Sequence, residues 1–202
     1  MTHLHSVAAG FDTGTYLDVV DTAHRAPSWL DALISAYSTY GLALFALLML
    51  GAWWRARRRE PGRAVLALAA PVLTLAAFAA DSVLKSLLHE TRPCRTLHVA
   101  TLEACPAPGD WSLPSNHAAL AAAAAVALWF VSARLGAVAG LAALAMAASR
   151  VWVGAHYPHD VLAGLTVGAL VAASLGLLLS RHAPALSGLL VRSRFQPLVT
   201  AA

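Results

Sequence analysis

The chain has 202 residues, 59% of them hydrophobic and 12% charged, with mean hydropathy +0.66 and a formal charge of +4. Soluble domains carry about 25% charged residues, so the composition excludes an ordinary globular protein and fits one membrane-embedded domain. The positive balance does not mark a nucleic-acid binder: its densest run, RARRREPGR at 55–63, directly follows an apolar stretch, where a cytoplasmic anchor belongs.

Residues 1–30 lack a continuous apolar h-region, so no secretory signal peptide is expected. The stretch TYLDVVDTAHRAPSWLDAL (15–33) reads instead as an amphipathic segment lying on the membrane surface, with a poorly ordered tail as the alternative. Five apolar stretches follow, at about 33–54, 64–84, 115–133, 135–152 and 161–180. Each approaches the roughly 20 residues that a membrane-spanning helix needs. The third and fourth are short and rich in Ala and Gly, which allow close helix approach, so they are expected at the centre of the bundle. The first and fifth show no polar face of 3.6-residue period, unlike helices of a soluble bundle. The expected fold is an all-α integral membrane bundle. It forms a single domain over 1–202, with 1–30 interfacial, 33–180 transmembrane and 181–202 a cytoplasmic tail.

With five spans, Arg55, Arg57, Arg58, Arg59, Arg63, Arg134, Arg181, Arg192 and Arg194 all fall on one side. The positive-inside rule makes that side cytoplasmic. The 85–114 loop and the 153–160 turn then lie outside. Cys94 and Cys105 share that loop, where a disulfide persists in an oxidising compartment. Two unpaired thiols are the alternative, because spacing alone does not decide.

Three stretches bring ionisable groups to the outer side: KSLLHETRP (85–93), LPSNHAA (113–119) and SRVWVGAHYPHD (149–160). Charged side chains at membrane depth are rare and point to function. Lys85 and Arg92 are two helical turns apart, so they share a face if the helix continues. Pro93 disfavours helix at Arg92. Ser115 suits the N-cap of an Ala-rich helix whose first-turn amides make an anion site, with His117 in that turn. His156 and Asp160 are four residues apart, a spacing that lets the carboxylate fix the imidazole tautomer. His159, adjacent to Asp160, reads as a solvated loop histidine.

Lys85, Arg92 and Arg150 form a cation cluster that repels itself unless it holds an anion. Arg forks match phosphate oxygens and Lys adds a point charge. At a membrane interface the anion is expected to be a lipid headgroup. Two histidines complete a two-step phosphoryl transfer: neutral His156 attacks phosphorus, and protonated His117 serves the leaving oxygen and then water.

These stretches resemble the three signature motifs of the type 2 phosphatidic acid phosphatase (PAP2) family. Lys85, Arg92 and Pro93 match the first; Pro114, Ser115 and His117 the second; Ser149, Arg150, His156 and Asp160 the third. The resemblance implies metal-independent, cofactor-free phosphatases working through a phosphohistidine. His156 would be the nucleophile, Asp160 its partner and His117 the acid. Lys85, Arg92, Ser115 and Arg150 would hold the phosphate. Asn116 stands where the family often has Gly; its amide still faces the phosphate, while its side chain narrows the pocket. The compact chain resembles the bacterial undecaprenyl-diphosphate phosphatases of that family, which implies a plasma-membrane enzyme with its site outside. Phosphatidic acid, phosphatidylglycerophosphate and other prenyl phosphates are the alternative substrates.

Three rival functions fit the sequence less well. A metalloenzyme using His89, His98, His117, His156, His159 and Asp160 conflicts with the nearby cations and has no HExxH spacing. A serine hydrolase built on Ser115, His156 and Asp160 lacks a GxSxG elbow. A transporter would show repeats and broken helices around a midplane site. Oligomeric state is not legible.

Overall fold

The computed structural model describes the backbone of residues 2–201 and the side chains of residues 12–201. Every element among them is helical: α1 (Thr2–Arg25), α2 (Ser28–Tyr40), α3 (Leu42–Ala56), α4 (Pro61–Leu88), α5 (Pro93–Thr96), α6 (Asn116–Val131), α7 (Ala133–Trp152), α8 (Pro158–Val191) and α9 (Gln196–Val199). Local chemistry sets the breaks. Pro61 and Pro158 occupy first-turn positions, where their missing N–H costs nothing. His89 stops α4 in the left-handed region, at φ 52°. Ser132 is extended between α6 and α7.

The helices α4, α7 and α8 are each long and apolar enough to cross a membrane. So are α2 and α3 taken together, although they bend by 57° where they join. The five expected spans appear as apolar helices with two differences: the first is broken at Gly41 between α2 and α3, and the third is short. The third, α6, has only 16 residues, roughly 24 Å, which is shorter than the ~30 Å hydrocarbon layer. It is the helix that needs lipid least, because Ala118, Ala119, Ala121 to Ala125 and Ala127 are all buried in protein.

Packing corrects the expected centre. α6 lies inside, against α4, α7 and α8. α7 flanks it and exposes Val138, Leu141 and Leu144. The tight seam is α6 on α8, where Gly164, Gly168, Ala172 and Gly176 form a buried stripe of four-residue period. A Cβ on Gly168 would fall on the carbonyl oxygen of Ala119 and 2.8 Å from its carbonyl carbon.

Both ends of the chain pack on the bundle. α1 docks on α7 and α8: Tyr16 is fully buried, and its hydroxyl donates to the Gly154 carbonyl at 3.0 Å. Side chains 1–11, part of the expected interfacial segment 1–30, lie outside the described residues. Residues 181–202 do not form a free tail. α8 continues to Val191, and α9 folds back, with Leu198 O accepting from Trp53 Nε1 at 2.8 Å and Val199 fully buried.

Gly168→Ala should therefore cost about 1–3 kcal/mol of stability, because the clash is with backbone. Thermal unfolding in detergent reads this, and a wild-type midpoint would show that α8 is not seated so closely on α6.

Candidate active site

The last turn of α4 presents Lys85, which is buried; beyond the His89 cap the chain extends to Arg92. A shared helical face for the two requires the helix to continue to Arg92, which Pro93 disfavours. α4 ends at Leu88, so they meet through the loop instead. Lys85 Nζ donates to Trp111 O at 3.1 Å. Arg92 Nε donates to Asp110 O, and its NH2 pairs with Asp110 Oδ1, both at 2.9 Å.

His156 lies between α7 and α8 and is 2% exposed. Its Nδ1 is 3.4 Å from Asp160 Oδ2. The spacing of four works through a capping box rather than a shared helical face: Asp160 Oδ2 accepts the N–H of Tyr157 at 2.8 Å. The same oxygen accepts from the Ser112 hydroxyl, whose Oγ is 3.4 Å from His156 Nδ1. These partners assign the ring proton to Nδ1 and leave the lone pair on Nε2, toward which Arg92 NH1 donates at 3.2 Å. Burial pushes the His156 pKa down to about 4; Asp160 opposes this, and the Arg92 and Arg150 charges add to it. The imidazole is neutral at pH 7.

The second motif arrives on the N-terminus of α6. The amide of Ser115 donates to Asp160 O at 3.0 Å, which ties α6 to α8. Ser115 occupies the N-cap position, yet its side chain makes no cap bond. Among the described residues its buried Oγ has no hydrogen-bond partner, and neither has Asn116 Oδ1. His117 is half-buried and lies within electrostatic reach of Arg150, Glu103, Lys85 and Arg92. All the sequence-predicted residues thus gather at one end of the bundle.

Four residues at this end were not anticipated. Arg150 pairs with Glu103 at 3.0 Å and donates to Ser38 Oγ. Asp110 neutralises Arg92, and Ser112 braces Asp160. The cation cluster therefore carries its own anions. Burial raises the Asp110 carboxyl, but the Arg92 hydrogen bond and the Arg92 and Lys85 charges outweigh it and hold it below the usual carboxylate range. Cys94 and Cys105 are bonded, with Cα atoms 6.0 Å apart, so the segments carrying Arg92 and Glu103 are tied together. No motif or spacing in the sequence marks Glu103 or Asp110.

His159 is not a solvated loop residue. It belongs to the first turn of α8, and both ring nitrogens face carboxylates: Nδ1 is 2.6 Å from Asp12 Oδ2 on α1, and Nε2 is 2.8 Å from Glu90 Oε1. Its ring stacks on Tyr157 at 5.4 Å. Glu90, His159 and Asp160 bring ligand-type atoms within 4.8 Å of one another, but this geometry is that of an imidazole bridging two acids.

Removing the Glu103 charge should expose Arg150 to an outside anion. In Glu103→Gln, inorganic phosphate should half-saturate a thermal-stabilisation titration at roughly 10-fold lower concentration, the scale of one charge-assisted hydrogen bond. A titration superimposable on wild type would show that Glu103 does not compete for Arg150.

The PAP2 superfamily model matches residues 63–182. Undecaprenyl-diphosphatase BcrC of Bacillus subtilis (strain 168) is 29% identical over 144 residues, covering 71% of this chain and 72% of that protein. An undecaprenyl-diphosphatase of Sulfolobus acidocaldarius is 39% identical over 67 residues, but only 33% of this chain and 32% of that protein are covered. Among solved structures, Aquifex aeolicus LpxE superposes with a TM-score of 0.61 at 20% identity, over 83% of this chain and 95% of that one, and shows the shared fold. All three motif segments fall inside the matched region, on a helical membrane scaffold: the chain belongs to the PAP2 superfamily of phosphatases.

Proposed function

We propose that the protein hydrolyses a lipid (di)phosphate at the extracytoplasmic face through a phosphohistidine on His156. Undecaprenyl diphosphate is the favoured substrate, giving undecaprenyl phosphate and inorganic phosphate for recycling of the cell-wall lipid carrier. The single observation that carries the chemistry is the His156 ring: Nδ1 on the Asp160 side, Nε2 on the Arg92 side, and almost no exposure. The substrate is supported by the relative named undecaprenyl-diphosphatase BcrC, which is similar over 71% of this chain. The arginine asymmetry supports the outward face, and that bacterial relative supports a bacterial plasma membrane.

The phosphoryl group enters where Arg92 now faces Nε2. Arg92 turns its fork to the phosphate oxygens, joined by Lys85, Arg150 and the unpartnered Ser115 Oγ. The Asn116 amide, at the start of α6, adds a backbone donor. Nε2 attacks phosphorus, and the bond from phosphorus to the leaving oxygen breaks. His117, protonated once the substrate's negative charge offsets Arg150, Lys85 and Arg92, gives its proton to that oxygen. The neutral His117 then takes a proton from water, whose oxygen displaces the histidine from phosphorus and releases phosphate. Asp160 holds His156 and balances the positive charge that develops on the ring. Fixed cations around the transferring group supply most of the stabilisation, for a reaction class whose uncatalysed rates are among the slowest known.

Purified protein in detergent with EDTA, given prenyl diphosphates, prenyl monophosphates, phosphatidate and phosphatidylglycerophosphate, should release phosphate fastest from the prenyl diphosphate. Preference for another lipid reassigns the substrate. His156→Ala should lower turnover by roughly 10⁴ or more while the protein still inserts; near-normal release refutes the nucleophile assignment.

The acid limb of kcat/KM provides a separate check. His156 must be neutral to attack, and its pKa is depressed from 6.5 to about 4. Activity should therefore persist below pH 6.5 and fall as pH approaches 4. An acid limb at or above 6.5 would mean that another group sets it.

A further inference from the structure

The 28-residue α4 carries Lys85 near one end and Arg63 at the other, roughly 42 Å for the whole helix. At that second end, opposite His156, the α3–α4 and α6–α7 turns enclose a cavity of about 550 Å³. Arg55, Arg59, Arg63 and Arg134 line it, against one carboxylate, Glu60. Glu60 pairs with Arg63 at 2.8 Å. Among the described residues, the guanidinium groups of Arg55, Arg59 and Arg134 make no hydrogen bond or ion pair. Three unpaired cations facing one cavity are mutually repulsive, and nothing in the reaction uses them.

The depth of the cavity indicates what would neutralise them. Trp54, on the last turns of α3, is 46% exposed, and the Arg57 guanidinium lies over its ring at 3.9 Å. Trp129, close to the C-terminus of α6, is 56% exposed. Tryptophans that face outward at helix ends mark the membrane–water interface. The cavity lies between these two helix ends, at headgroup level, and its inner wall is apolar, formed by Ala52, Ala56 and Val131. Its volume far exceeds one phosphate ion.

We propose that this cavity binds the headgroup phosphate of an anionic glycerophospholipid in the leaflet opposite the reaction. The arginine forks take the phosphate oxygens, and the apolar wall takes the first carbons of the acyl chains. A choline headgroup would place its own cation among the arginines, so zwitterionic lipid is disfavoured. This site is separate from the phosphatase reading and does not depend on it.

The full chain in detergent micelles is titrated with phosphatidylglycerol, phosphatidylcholine or inorganic phosphate, and thermal stability is read. Phosphatidylglycerol should stabilise the wild type and phosphatidylcholine should not. In the triple variant Arg55→Gln, Arg59→Gln, Arg134→Gln, half-saturation should move at least tenfold higher, on the order of fivefold being expected per juxtamembrane arginine. A control with Arg181→Gln, Arg192→Gln and Arg194→Gln, on the same side but outside the cavity, should behave as wild type. Equal loss in both triple variants means diffuse surface charge and overturns the proposal. So does an equal response to phosphatidylcholine, or a response to inorganic phosphate at the same concentration. Should the triple variant not fold, Arg134→Gln alone is compared with wild type by native mass spectrometry. Equal retention of phosphatidylglycerol by the two would overturn the site.

Discussion

Asp160 is the point where three chain segments meet. Its carboxylate accepts the Tyr157 amide and the Ser112 hydroxyl and faces His156 Nδ1, while its own carbonyl takes the amide of Ser115. One fully buried residue thus caps α8, fixes the His156 imidazole, braces the 97–112 loop and joins the N-terminus of α6 to α8. A buried carboxylate is costly unless its lone pairs are satisfied, and here Oδ2 alone faces three donors. The same bonds that make the charge tolerable also make the site rigid, so stability and alignment have one cause.

That arrangement needs α6 and α8 to lie close, and small side chains permit it. The glycine stripe of α8 meets the alanines of α6 almost at backbone distance. Without an interhelical hydrophobic drive inside lipid, close van der Waals packing is what holds such helices together. A bulkier seam would separate Ser115 from Asp160 and open this end of the bundle without changing any of its ionisable side chains. The short α6 contributes as well: its N-terminal amides end among longer neighbours, where an anion can reach them.

Charge balance is the second constraint. Lys85, Arg92 and Arg150 are all buried, and none is left to repulsion. Trp111 O, Asp110 and Glu103 answer them, each from the loop that the Cys94–Cys105 bond ties down. Two of these partners, Asp110 and Glu103, are carboxylates on a loop rather than on a helix. Ser115 Oγ, with no partner, is the donor already free. The opposite end of the bundle has the reverse economy: its arginines are solvated, and three of those lining the cavity lack any internal anion.

Sequence alone determined the membrane class, the apolar helices and the residues of the three motif segments, because hydropathy and short spacings are local properties. The i,i+4 relation of His156 and Asp160 was legible for that reason, although a capping box rather than a shared face realises it. Helix ends were less legible. The left-handed stop at His89 and the return of α9 onto Trp53 depend on what the chain meets in space. Glu103, Asp110, Ser112 and Ser38 were invisible as site residues, since their partners lie 47, 18, 48 and 112 residues away. His159 was misread for the same reason: Asp12, one of its two partners, is 147 residues distant. Which ionisable groups exist is written in the chain, but which carboxylate meets which cation is decided only when packed helices bring distant segments within a few ångströms, where desolvation makes every unpaired charge expensive.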